Sequence, residues 1–328
     1  MRRITCLRRP AEKNMSHPKI PDILSAYFEH PHAVICTEFN SGLTNFNFQV
    51  KDEPGKMFFL KIFRNANLLR IKSVATLINH LQHYRFPTPE IIPCLSGDYC
   101  WNDGKEGAII TRFIKGKYPE NTEENLYRIG NILGALHQIP ASAGLLQGYS
   151  LNYPELLKQV YNFDGVIEEE FSNFLVSINP VIGNIPLSGF PQSIIHGDIF
   201  LDNLLQTSLG DIYFIDFEGG CVDKSIFDIA RSVIGCAMIN QKFDLKLTKA
   251  ILSGYTAVRD FEPIEQEYLY EFIIYAGAIS VMWRYTEFNI RRPFENKKNL
   301  YKKLLIPTLN LIETGKRIFQ DAIYSNQI

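Results

Sequence analysis

No two of the six cysteines, at 6, 36, 94, 100, 221 and 236, are spaced as C-x-x-C. That argues against the common zinc-ribbon and dithiol redox patterns and makes reduced thiols the expectation. A one-sided charge is also missing: 34 Lys and Arg against 35 Asp and Glu leave a formal net charge of −1. Such a balance gives no electrostatic footing for nucleic acid or a membrane surface as a partner. Long apolar runs are absent too. The longest, Phe272 to Trp283, falls short of the about 20 residues a membrane span needs and reads as a buried helix. The opening MRRITCLRRP is basic but lacks the apolar centre of a secretory leader, so a cytoplasmic location is expected. Residues 1–14 read as a disordered tail or a mis-assigned start, because Met15 begins a more ordinary opening. No internal repeat or low-complexity segment is visible.

What the chain does have is length and one dense motif. At 328 residues, with 46% hydrophobic and 21% charged residues, it has the composition of a globular enzyme. Single cores stop growing near this size, so two lobes are expected. The stretch from Ser193 to Asp228 holds His196, Asp198 and Asn203 in the pattern H-x-D-x-x-x-x-N. Leu204 to Gln206 reads as a strand, 207–211 as a turn, and Ile212 to Ile215 as the antiparallel return. A hairpin of that form brings Asn203 and Asp216 to one open end, with Asp198 in reach from the preceding loop. An amide oxygen and carboxylates make a hard-oxygen set suited to Mg²⁺. Phosphoryl transfer needs such a set: one Asp to orient and deprotonate a hydroxyl, an Asn and a second Asp to hold the metal.

These residues resemble the catalytic and metal loops of the kinase superfamily. H-G-D stands where protein kinases have H-R-D, and D-F-E where they have D-F-G. In both respects the chain is similar to the aminoglycoside phosphotransferase family, whose members phosphorylate small molecules. The resemblance implies an α+β, two-lobed protein-kinase-like fold. A small N-terminal antiparallel sheet lobe, 15–113, would bind nucleotide, and a larger helical lobe, 114–328, would carry catalysis and the acceptor. It implies ATP and Mg²⁺ as cofactors, Asp198 as the catalytic base, and Asn203 and Asp216 as metal ligands. His196 and Asp228 are expected to brace the catalytic loop.

In the first lobe, Pro21 to His30 reads as an amphipathic helix. Phe46, Phe48 and Val50 alternate with Asn47 and Gln49 as a strand entered from the turn 40–42. Ser41, Gly42 and Asn45 could offer donors to phosphate oxygens. Phe58 to Phe63 is a third strand carrying one charge, Lys61, which otherwise demands a partner inside an apolar run. This order looks like a kinase phosphate-covering hairpin and its lysine. The helix expected over 66–84 contains no acid to pair with that lysine. A nucleotide-binding pseudokinase is therefore the non-enzyme alternative, against which Asp198, Asn203 and Asp216 all argue. Gly107 to Phe113 reads as a strand, and Arg112 and Phe113 resemble the linker where adenine docks in this family.

In the second lobe, Asn121 and Glu124 look like an N-cap and its partner, opening a helix with Leu126, Ile129, Leu133 and Leu136 at helical spacing. Helices are expected over 153–177, 244–255, 263–283 and 299–323, with a loop over 180–191 and another helix beginning near Asp223. No chemistry attaches to Asp223 or Arg231 at this level. Within the family, GLTNFNFQV, the single-glycine turn and the segments GYTAVRDFEP and WRYTEFNIRRP look like the homoserine kinase branch. The implied acceptor is a small-molecule hydroxyl, L-homoserine, with Arg284, Glu287 and Arg291 as candidate contacts. Choline, ethanolamine, methylthioribose and aminoglycoside kinases share the core motif. An aromatic set at Trp283, Tyr285 and Phe288 keeps a choline-type cage open.

Overall fold

The computed structural model of the protein describes residues 17–39, 45–64 and 67–324. It has the expected α+β character, a small antiparallel sheet followed by a mainly helical remainder. The chain divides into two compact units. The first comprises the described residues up to Lys72 together with Ile91–Phe113; the second comprises Ser73–Glu90 and Ile114 onward.

The first unit opens with helix α1 (Ile20–Tyr27), then strands β1 (Ile35–Phe39), β2 (Phe46–Lys51) and β3 (Met57–Phe63). Helix α2 (Leu68–His83) starts here, and the unit ends with β4 (Ile91–Ile92), β5 (Trp101–Asn102) and β6 (Gly107–Arg112). The sheet runs β1-β2-β3-β6-β4, with β5 also on β6, and every pairing is antiparallel. Alternation along β2 buries Phe48 and Val50, which join Leu60, Ile62 and Ile110 beneath Ile23, Leu24 and Tyr27 of α1. The Tyr27 hydroxyl donates to the Ala108 carbonyl at 3.3 Å, so the polar tip that this ring carries into the layer is satisfied.

The second unit is built on α3 (Glu123–Gln138), α4 (Tyr153–Tyr161) and α5 (Glu169–Gly183), then β7 (Gln192–Ile195), β8 (Leu204–Gln206), β9 (Ile212–Phe214) and β10 (Cys221–Lys224). It continues through α6 (Ser225–Cys236), the short strands β11 (Met238–Ile239) and β12 (Lys242–Phe243), α7 (Leu245–Thr256), α8 (Pro263–Tyr285), α9 (Lys302–Thr314) and α10 (Lys316–Tyr324). A six-residue π-helix, Thr286–Arg291, prolongs α8. Among the described residues no helix is long and apolar enough to cross a membrane.

Several elements differ from expectation for identifiable reasons. Residues 73–90, expected in the first lobe, lie with the second unit because Phe86 meets Phe214 and Phe217 edge to face at 5.6 and 6.1 Å. The Phe214 amide also donates to the Pro87 carbonyl at 2.8 Å. Thr122, not Asn121, caps α3, its hydroxyl accepting from the Asn125 amide at 3.3 Å, while Asn121 donates to the Met238 carbonyl. Helix α5 runs past Pro180 to Gly183; the bond lost there is to Val176, on an exposed face. Residues 221–224 form β10 against β7, and α6 begins only at Ser225. The helix expected over 299–323 breaks at Gly315, whose φ of 79° stops α9 in the left-handed region.

Candidate active site

The site in the second unit begins where β7, buried but for its first residue, delivers His196. Helix α6 sends the fully buried Asp228 back under this point. Its carboxylate accepts from the backbone amides of His196 and Gly197 at 2.5 and 2.7 Å. The Asp198 amide donates to His196 Nδ1 at 3.2 Å, so Nε2 carries the ring proton and donates to the Ile215 carbonyl at 2.8 Å. One ring thus ties the loop of Asp198 to the strand end that precedes Asp216. His137 of α3 lies 3.5 Å behind Asp228 and meets the Tyr255 hydroxyl at 2.8 Å.

The glycine of H-G-D has a steric cause. Gly197 sits at φ 81°, and a Cβ there would lie 2.6 Å from Tyr149 and 2.8 Å from the Gly219 carbonyl. Only glycine lets these two backbones approach so closely in that conformation.

The hairpin of β8 and β9 pairs Leu204 with Phe214, and the Ile215 amide donates to the Asn203 carbonyl at 3.0 Å. That bond carries the pairing past the strands and sets Asp216 beside Asn203. The Asn203 side-chain amide donates to the Asp198 carbonyl at 2.8 Å and to its Oδ2 at 3.0 Å. Its own oxygen is the atom of that side chain suited to a cation. Asp216 is exposed and held at φ 66°, ψ 57°, a left-handed conformation that non-glycine residues rarely adopt. An exposed carboxylate beside an amide oxygen fits Mg²⁺, which keeps several waters or phosphate oxygens of its own.

Three further residues belong to this place. Arg231 of α6, 5% exposed, donates through Nη2 to Asp198 Oδ1 and through Nη1 to Ser280 Oγ and, at 3.3 Å, to the Ala276 carbonyl. Asp202 keeps an exposed face. The surrounding protein, then the charges of Asp198 and Asp216, push its carboxyl above the ordinary carboxylate range, while Arg284 acts the other way. Phe200 lies beside the Arg231 guanidinium, 4.9 Å from its ring centre. The signal available for Arg231 was its position three residues after Asp228, on the same helix face. Asp202 was visible inside the motif, next to Asn203.

Of the acceptor candidates, Arg284 faces this cluster. Burial depresses its pKa from the ordinary arginine value, as does Arg231, while Asp198 and Asp202 oppose the shift. Glu287 is buried and points to its own neighbours, 3.2 Å from Arg292 and 3.9 Å from the exposed Arg291. Tyr285 is buried face to face on Phe171 at 3.7 Å, and Phe288 is buried against Trp283 at 5.9 Å. Those contacts leave little aromatic face for a quaternary cation.

The remaining candidates lie in the first unit. Ser41 and Gly42 fall outside the described residues. Asn45 accepts from the Arg64 amide at 3.0 Å, joining the start of β2 to the end of β3. Lys61 is 7% exposed, opposite Asn47 on β2 and Ile109 on β6. Arg112 ends β6 with its guanidinium 5.1 Å from the Phe58 ring, and Phe113 stacks on Phe39 at 6.2 Å.

The pattern that defines the phosphotransferase enzyme family matches residues 35–264. An uncharacterized protein of Mycoplasma pneumoniae is 20% identical over 278 residues, 84% of this chain and 86% of its own. A homoserine kinase of Methylobacillus flagellatus is 26% identical over 227 residues, 67% of this chain and 69% of its own. Among solved structures, a microcompartment-associated aminopropanol kinase superposes with a TM-score of 0.71 at 16% identity. That match covers 90% of this chain and 95% of the other, and it shows a shared fold.

Proposed function

As the chain belongs to the phosphotransferase enzyme family, we propose that it transfers the γ-phosphoryl group of ATP to the hydroxyl of L-homoserine, yielding O-phosphohomoserine and ADP. The observation that carries the phosphotransfer is the convergence of Asp198, Asn203 and Asp216 on a loop braced by Asp228 and His196. The homoserine kinase relatives support the choice of acceptor.

In this reading Asp198 accepts the proton of the attacking hydroxyl. Asn203 and Arg231 hold its two carboxylate oxygens, so the carboxylate cannot swing away from the incoming group. Asn203 and Asp216 hold Mg²⁺, which when bound offsets the charge on the phosphates. Within the first unit, Lys61 is the proposed cation for nucleotide phosphate, with Ser41, Gly42 and Asn45 as proposed donors and Arg112 and Phe113 as proposed adenine contacts.

The test is Mg²⁺-dependent ADP release with homoserine, choline and an aminoglycoside under one set of conditions. Homoserine should give the highest kcat/KM. A better rate with either of the others would remove the acceptor assignment, and no turnover with any of them would remove the kinase assignment.

A further inference from the structure

Two arginines meet at one aromatic ring beside the catalytic loop. Arg231 comes from α6 and Arg284 from the last turn of α8. Their guanidinium carbons lie 4.9 and 5.6 Å from the centre of Phe200, two residues after Asp198. Arg231 uses Nη1 on α8 and Nη2 on Asp198 Oδ1, but its Nε is buried without a hydrogen-bond partner. A buried donor left unmade is costly and asks for an explanation. In a guanidinium the Nε and Nη2 protons point the same way along one edge. That edge is the one on which Asp198 sits, so the unpartnered Nε–H is covered in this state and a ligand reaches it by displacing what covers it.

The charge around the second arginine points to the same ligand. Burial and the neighbouring Arg231 both disfavour the charged form of Arg284, so an anion placed between the two would relieve both. Asn203 takes one Asp198 oxygen and Arg231 takes the other, so the two side chains meet that carboxylate at different atoms.

We propose that Arg231 Nε and Arg284 form a carboxylate clamp, so that the acceptor is a small hydroxy acid held by its carboxylate while its hydroxyl meets Asp198. The assignment rests on the phosphotransfer reading of Asp198 given above. The two teeth of Arg231 are adjacent, so hydroxyl and carboxylate can be only a few bonds apart. A large sugar acceptor does not meet that condition. Glu287 and Arg291, paired with one another, are not needed for it.

The experiment uses two halves of the hydroxy amino acid, 4-hydroxybutyrate and 3-aminopropan-1-ol. Binding of each is measured by calorimetry on the full chain with Mg²⁺ and a non-hydrolysable ATP analogue. In the unmodified protein 4-hydroxybutyrate should bind roughly 10–100-fold tighter, the worth of a charge-assisted hydrogen bond. Arg284→Gln should remove most of that preference and leave 3-aminopropan-1-ol and the nucleotide unmoved, with Arg284→Lys in between. Equal binding of the two probes in the unmodified protein, or no binding of 4-hydroxybutyrate, overturns the clamp whether or not the variants fold. So does an Arg284→Gln variant that weakens both probes alike, or one that loses the nucleotide, since the arginines would then be gripping phosphate. Failure of the kinase reading looks different: the carboxylate preference persists, but no acceptor is phosphorylated.

Discussion

The loop proposed to carry catalysis, 196–203, and the segment that ends α8, 284–292, both belong to the second unit, yet their charged side chains are held differently. Around the loop, beside the local contacts of Asp198 with Asn203 and His196, polar atoms are fixed by partners far along the chain. Asp228 takes two of its amides, the Ile215 carbonyl takes the His196 ring, and Arg231 takes Asp198. In the segment, Glu287 answers to Arg291 and Arg292, four and five residues away. Long-range partners make a rigid place for chemistry. Local partners stabilise a helix end and leave the site to whichever side chain turns away from them, here Arg284.

The contrast predicts where substitutions will hurt. Asp198→Asn keeps the shape and one oxygen for Arg231, gives up the oxygen that accepts from the Asn203 amide, and removes the proton acceptor. Its kcat should fall about 10²–10⁴-fold with little change in nucleotide affinity. Single-turnover kinetics would show this, and a variant retaining most of its kcat would deny Asp198 its role.

Next in size is Asp228→Ala. It leaves two buried amides without acceptors, each worth about 1–3 kcal/mol, so the unfolding free energy should drop by about 2–6 kcal/mol. Denaturant titration measures it. Loss of activity with unchanged stability would mean that Asp228 acts on the chemistry and not on the loop.

Asp216→Ala should weaken nucleotide binding in the presence of Mg²⁺ and not in its absence, because only the metal contact is lost. The expected change is roughly tenfold or more, of the order of one charge-assisted contact. Calorimetry with and without Mg²⁺ gives the answer, and equal losses in both conditions would place Asp216 elsewhere in the mechanism.

The motif was legible because its chemistry is local: Asp198, Asn203 and Asp216 are fixed in spacing by one loop and one hairpin. The lobes followed from length, and β2 from strict alternation. What escaped was contact across distance. Arg231 is 33 positions from Asp198, and only its place one turn after Asp228 hinted at the contact. Strand β10 escaped because its partner β7 lies far upstream. The cap of α3 was misplaced by one residue because Asn121 is by itself the better capping residue, and only its tertiary contact with Met238 leaves the cap to Thr122. At Pro180, exposure of the preceding turn offset a proline that sequence reasoning treats as a stop.

The smallest expected effect sharpens the comparison most. Arg291 is exposed, and its ion pair with Glu287 spans 3.9 Å, while Arg292 holds the same carboxylate at 3.2 Å. Arg291 is the exposed and more distant partner of that buried carboxylate, so its own share is close to the about 0–1 kcal/mol of a surface ion pair. Removing Arg291 leaves the buried Glu287 still neutralised, so the π-helix should persist. Arg291→Ala should therefore shift stability by no more than about 0.5 kcal/mol, the ordinary range for surface substitutions. It should also leave kcat/KM for the acceptor within about twofold, under 0.5 kcal/mol on the transition-state scale. Arg284→Gln measured beside it should lose far more. If instead Arg291→Ala costs tenfold or more at unchanged stability, the segment reaches the acceptor. Its local pairing would then be a resting arrangement that the substrate displaces.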